Sequence, residues 1–192
     1  MNETIRQEDV VQRTLAEAWR LFTNDFVLYV VAGLLVIIVS IVSLGILSGP
    51  MTVGFIQLVE RRRRGEDCGV TDVFDGFQRF GASLIASFLI GIGIFIGCLL
   101  FVLPGILFGL AMAFTFQAIA IENASATGAM GRSFNVIKEN PGVSIVLLII
   151  VLVLSGIGGA VLFGTLLTMP FSLIVMTLAY DELASSHALE TT

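Results

Sequence analysis

The feature that most constrains this chain is where its charges are missing. No Asp, Glu, Lys, Arg or His occurs in residues 26–59, 80–121 or 140–180, stretches of 34, 42 and 41 residues. A helix needs about 20 apolar residues to cross a hydrocarbon core about 30 Å thick. The second and third stretches therefore fit two spans each. The first fits two short spans, or one span plus a partly inserted segment. Composition points the same way: 56% of the 192 residues are hydrophobic and only 13% charged, with a mean hydropathy of +0.98. A soluble domain carries roughly twice that share of charge to keep its surface wetted.

The polar segments between the stretches are amphipathic. In residues 4–23, Val11, Leu15, Ala18, Trp19 and Phe22 recur at three- and four-residue spacing and draw one apolar helical stripe. Thr4 with Gln7 reads as a capping box, and Trp19 suits a headgroup boundary. Residues 70–80 place Val73, Phe74, Phe77 and Phe80 on one face, with Thr71 as the expected cap. Residues 124–140 do the same with Ala126, Met130, Phe134 and Ile137. Each segment is too short to hold a helix alone in water and gains from lying on a bilayer or a bundle end. Gly and Pro interrupt each following apolar stretch, around Pro50, around Pro104, and around Gly164 and Pro170. These mark hairpin turns or kinks, and Pro50 is open to either reading.

The expected fold is an all-α polytopic transmembrane helical bundle filling residues 1–192. It has about six spans, or five plus a short inserted segment. Three hairpins (26–59, 81–121 and 141–180) each follow an interfacial amphipathic helix (4–23, 70–80 and 124–140), and a tail occupies 181–192. Glycine pairs four apart, Gly45 and Gly49, Gly93 and Gly97, Gly105 and Gly109, with Ala160 and Gly164, suit close helix packing. All ten basic residues lie in the polar segments. An excess of Lys and Arg marks the cytoplasmic side, so both termini are expected in the cytoplasm of a cell membrane protein. The first twenty residues are polar and acidic, unlike a signal peptide, and are expected to be retained.

The run Arg61, Arg62, Arg63, Arg64 looks at first like a nucleic-acid signal. Between Glu60 and Phe80, however, five arginines including Arg79 meet five carboxylates, and the chain carries a net charge of −5. That excludes a basic field for nucleic acid. Two readings remain for these arginines. They fix topology with stems running along the interface, or they also hold anionic lipid headgroups.

No catalytic, cofactor or metal constellation is expected. The sole histidine, His187, lies in the tail, no acid lies within a span, and Cys68 and Cys98 form neither a zinc nor a disulfide pattern. The most polar groups in or near the spans are Gln57, Thr115, Gln117 and Glu122. They are either a small polar site or helix-to-helix hydrogen bonds.

The stretches AEAWRLFTNDF (16–26), RRGEDCGVTDVFDGFQRF (63–80), FVLPGILFGLAMAF (101–114) and GAMGRSFNVIKENPG (128–142) resemble a family of uncharacterised prokaryotic six-helix membrane proteins. That family is related to the membrane domain found beside some glycerophosphoryl diester phosphodiesterases. The resemblance implies a membrane domain of unknown activity, sometimes an anchor for a soluble enzyme, which this chain leaves no room for. Within the shared motifs Phe77, Pro104, Gly105, Arg132 and Ser133 are expected to be structural. The expected role is non-enzymatic: a membrane-organising, scaffold or lipid-interacting protein whose partners are membrane lipids and, in one reading, a separate cytoplasmic or membrane protein. The alternative is a facilitator or channel for a small or apolar solute.

Overall fold

The structure, a computed structural model, describes residues 2–160 and 164–190. All regular structure among them is helical. In order, the elements are α1 (Asn2–Asn24), α2 (Phe26–Val42), α3 (Ser48–Arg63), a 3-10 segment (Val70–Arg79), α4 (Phe80–Leu100), α5 (Val102–Ala111), α6 (Thr115–Glu122), α7 (Ala126–Glu139), α8 (Pro141–Ala160) and α9 (Gly164–Glu190).

The centre is α3. Met51, Val53, Phe55, Ile56, Leu58 and Val59 are all fully buried, and α2, the 3-10 segment, α4, α6 and α9 pack around it. A helix that is apolar on every side is stable only when enclosed. The chain turns into α3 at Leu44 (φ 52°) and Gly45 (φ 84°), which places Pro50 in the first turn of α3. There its missing N–H costs no hydrogen bond. Pro50 is thus neither the hairpin turn nor a kink. Pro104 and Pro141 also sit in the first turns of their helices, while Pro170 lies inside α9.

The 3-10 segment approaches α3 backbone to backbone. A Cβ on Gly54 would lie 1.7 Å from the carbonyl oxygen of Val73, and one on Gly76 would lie 2.0 Å from that of Pro50. Only glycine fits at either position. This differs from the expected amphipathic α-helix over 70–80 in period. In a 3-10 helix, residues three apart eclipse one another, so Val73 and Gly76 line up against α3 while Phe74, Phe77 and Phe80 form an outward column. Their rings stack at centroid distances of 6.3 and 6.0 Å. The cap is also different: Asp72 Oδ2 accepts from the Gly69 N–H at 3.0 Å, and Thr71 plays no part in it.

The outer segments turn sharp corners. α1 meets α2 at 93° and α7 meets α8 at 108°. On α1 the buried side chains are Thr14, Ala18, Leu21 and Phe22, while Trp19 is 60% exposed with its edge on Phe171. The helix already runs from Asn2, and the side chains of Thr4 and Gln7 lie outside the described ones. On α7 the packed face is Ala126, Ala129, Ser133 and Val136. The expected stripe is split: Ala126 is buried, Met130 and Ile137 are half-buried, and Phe134 is exposed. Small side chains let α7 sit close to the bundle, which is why they, and not the large apolar ones, face inward.

Three helical stretches among the described residues are long and apolar enough to cross a membrane: Val70–Leu100, Leu103–Glu122 and Gly164–Ser185. The two bent pairs bring the number to five. A sixth is not among them, because α3 offers only residues 48–59 before Glu60, about 18 Å of helix. The α4–α5 hairpin is the most exposed part. It is held by Gly97 against Gly105 and Gly93 against the Phe108 ring, as the four-residue glycine spacing suggested.

Gly54→Ala and Gly76→Ala are each expected to cost about 3 kcal/mol or more, since backbone must move to admit the methyl. Gly81→Ala, where a Cβ meets nothing within 4 Å, is expected to be neutral or slightly stabilising. Thermal unfolding of the three variants in detergent checks this contrast.

Candidate functional site: an arginine hub at the end of α3

Basic side chains in the last turn of a helix complement its partial negative charge, and α3 ends in Arg61, Arg62 and Arg63, with Arg64 as its C-cap. Each also reaches a carboxylate. Arg62 grips Asp25, at the α1–α2 corner, with a two-pronged contact: Nε donates to Oδ2 at 2.8 Å and Nη2 donates to Oδ1. Such forks are the stronger and more directional kind of ion pair. Arg61 Nη1 lies 2.6 Å from Asp75 and 3.9 Å from Asp72 on the 3-10 segment. Arg63 donates to Glu17 of α1 at 3.2 Å and to Asp181 of α9, with Glu60 at 3.7 Å. Arg64, the most exposed, pairs with Glu66 at 3.1 Å.

Three consecutive side chains, Arg61 to Arg63, thus tie α1, the α1–α2 corner, the 3-10 segment and α9 to the end of the central helix. Seven carboxylates face four guanidiniums. The hydrogen bonds and charge of Asp25 push the Arg62 pKa still higher. Burial, reinforced by the charge of Asp181, raises the Glu60 carboxyl above its usual range, against the pull of Arg63 and Arg64. Burial likewise raises the Cys68 thiol beside Arg62.

A second cluster joins α6, α7 and α9. Arg132 Nε donates to Glu122 Oε1 at 3.0 Å, and the buried Tyr180 hydroxyl donates to the same oxygen. Next to it, Ser133 Oγ accepts from the Phe114 N–H at 3.0 Å and donates to the Ala111 carbonyl at 2.8 Å. It thereby satisfies backbone groups freed where α5 stops and α6 begins. Because Tyr180 and Asp181 are neighbours in sequence, the two clusters lie at the same end of the bundle.

The structure therefore distributes the sequence-expected residues. Arg61 to Arg64 form the hub, and Arg132, Ser133 and Glu122 come together in the second cluster. Phe77 is the middle ring of the aromatic column. Pro104 opens α5, and Gly105 is buried against Cys98. The polar quartet does not form one site. Thr115 spends its hydroxyl on the Met112 carbonyl at 2.8 Å, Glu122 belongs to Arg132 and Tyr180, and Gln57 is half-buried on α3. Gln117 is buried with its Oε1 unpartnered. Arg79, Arg13, Arg20 and Lys138 have no ion pair among the described residues.

Sequence reasoning missed the acidic half of the hub, Glu17, Asp25 and Asp181, and also Tyr180. A signal was present: Asp25, Glu60, Glu122 and Asp181 each border a charge-free stretch, which brings them to the same end as the arginines. Comparisons with protein-family models, with curated proteins and with solved structures return no match.

Because the folded protein holds the Glu60 proton more tightly, it retains more of that proton than the unfolded chain does at pH just above the ordinary carboxylate range. Stability attributable to this group is greatest at acid pH and is lost as pH climbs through the raised value. Glu60→Gln is therefore expected to raise the melting temperature at pH 7 and to flatten its decline between pH 4.5 and 7. A melting-temperature series across that range checks both effects.

Proposed function

We propose that this chain is a non-enzymatic membrane-organising protein, a scaffold or lipid-interacting protein whose hub end faces the cytoplasm. The observation that supports this reading best is the pair of corners, 93° between α1 and α2 and 108° between α7 and α8. A helix along a membrane surface, followed by one that enters it, turns through about a right angle. The exposed side chains on these surface elements are the interfacial kind: Trp19, the Phe74–Phe77–Phe80 column and Phe134. In this arrangement five stretches cross, and the short, enclosed α3 returns the chain from the far end of α2 to the hub end. The resemblance to the membrane domain beside glycerophosphoryl diester phosphodiesterases accords with such a role.

Cys68, half-buried next to Arg62, reports the side on which the hub lies. In a Cys98→Ala background, Cys68 is expected to react with a membrane-impermeant maleimide only after cells are opened, and slowly, because its thiol is held protonated by burial. Labelling of intact cells would place the hub outside and invert the proposed topology.

A second reading, a facilitator for a small solute, has one observation in its favour. Gln117 Oε1 and Ser172 Oγ, within candidate spans, and Ser144 Oγ on α8 are buried and lack hydrogen-bond partners. Buried polar atoms without partners are costly and persist where something polar visits them. On the scaffold reading Gln117→Leu raises thermal stability and leaves solute permeability of proteoliposomes unchanged. A drop in permeability would favour the facilitator.

A further inference from the structure

The hub has an electrostatic consequence that changes which residues meet lipid. A guanidinium already facing one or two carboxylates at 2.6 to 3.2 Å has little field left for a phosphate, and in this group carboxylates outnumber the arginines. Four basic residues are free of carboxylates among the described residues, Arg13, Arg20, Arg79 and Lys138, and the last three also adjoin an exposed aromatic side chain. Arg20 follows the exposed Trp19 and sits six residues ahead of α2. Arg79 ends the 3-10 segment next to Phe80, the last ring of the aromatic column, and immediately precedes α4. Lys138 lies one helical turn beyond the exposed Phe134 and three residues ahead of α8. Each of the three is therefore an unpaired cation close to an exposed aromatic ring, within six residues of the start of a long apolar helix. At such a position the aromatic body suits the headgroup boundary and a free cation meets lipid phosphate.

We propose that Arg20, Arg79 and Lys138, and not the run Arg61 to Arg64, hold anionic lipid headgroups around the rim of the bundle. This rests on the lipid-interacting reading above and names its contact residues. The partner is the phosphate of bilayer lipids with a net negative headgroup. Each free cation near an anionic surface favours it by roughly fivefold, so loss of all three weakens anionic lipid binding on the order of 100-fold.

The test titrates phosphatidylglycerol, with phosphatidylcholine as the zwitterionic control, into the detergent-purified full chain and counts bound lipids by native mass spectrometry. The triple variant Arg20→Gln, Arg79→Gln, Lys138→Gln is expected to lose phosphatidylglycerol while keeping its melting temperature. The conservative pair Arg20→Lys and Arg79→Lys, with Lys138 retained, is expected to restore binding. Arg61→Gln through Arg64→Gln together should do the reverse, lowering the melting temperature and leaving lipid binding on the folded fraction near wild type. If the triple variant binds phosphatidylglycerol as wild type does, or the hub variant alone loses it while folded, the assignment is overturned and the lipid-interacting reading survives. If wild type shows no preference for phosphatidylglycerol over phosphatidylcholine, that reading fails as well.

Discussion

The bundle depends on how its central helix ends. α3 is enclosed by apolar side chains for most of its length, yet it must stop at a surface where its last carbonyls and a run of charges are accommodated. The arginines meet that need in two ways: they sit where the helix's partial negative charge develops, and Arg61, Arg62 and Arg63 extend outward to acids on separate elements. Lipid-facing helices gain little from hydrophobic association, since acyl chains are as apolar as leucine side chains. Directional pairs at one end therefore set the relative positions of α1, α2, the 3-10 segment and α9 in a way that apolar contact alone would not. The glycine contact between Gly54 and Gly76 does the corresponding task along the shaft of α3. There it brings the backbone of the 3-10 segment close enough for Asp72 and Asp75 to face Arg61.

The helices were legible because the charge-free stretches are long and the rule behind them is a length in ångströms. Facing glycines on α4 and α5 were legible for a similar reason, since their spacing matches one helical turn. Period was harder to read. The pattern of residues 70–80 fits three-residue and four-residue spacing almost equally over so short a segment. What decides between them is Gly76, which must lie under Pro50, and that contact is 26 residues away in sequence. On α7 the apolar stripe of Ala126, Met130, Phe134 and Ile137 marked one face for a bilayer or a bundle end without saying which. Close packing selected Ala129 and Ser133, because Ser133 has backbone to satisfy at the α5–α6 break.

The arginines show where local reading stops. Their neighbourhood in sequence is neutral, which was sufficient to set nucleic acid aside. Two of the acids that pair with them are 37 and 118 residues away. Only the fold brings Asp25 and Asp181 to the end of α3. The same applies to Glu122, which reads as an isolated acid at the end of a span and is in fact shared by Arg132 and Tyr180.

A run of arginines that is neutralised in the folded protein still has a part in the proposed topology, because the two effects act at different times. The bias that keeps Lys and Arg on the cytoplasmic side counts basic residues near span ends and is little affected by nearby acids. It acts while segments enter the membrane, when Asp181 is still far from Arg63. After α9 is in place, the same guanidiniums become internal ion pairs and their field is spent inside the protein. The cations left over at the rim then carry the contact with the surrounding bilayer. In that proposed topology the run orients the chain first, and Arg61 to Arg63 fasten it afterwards.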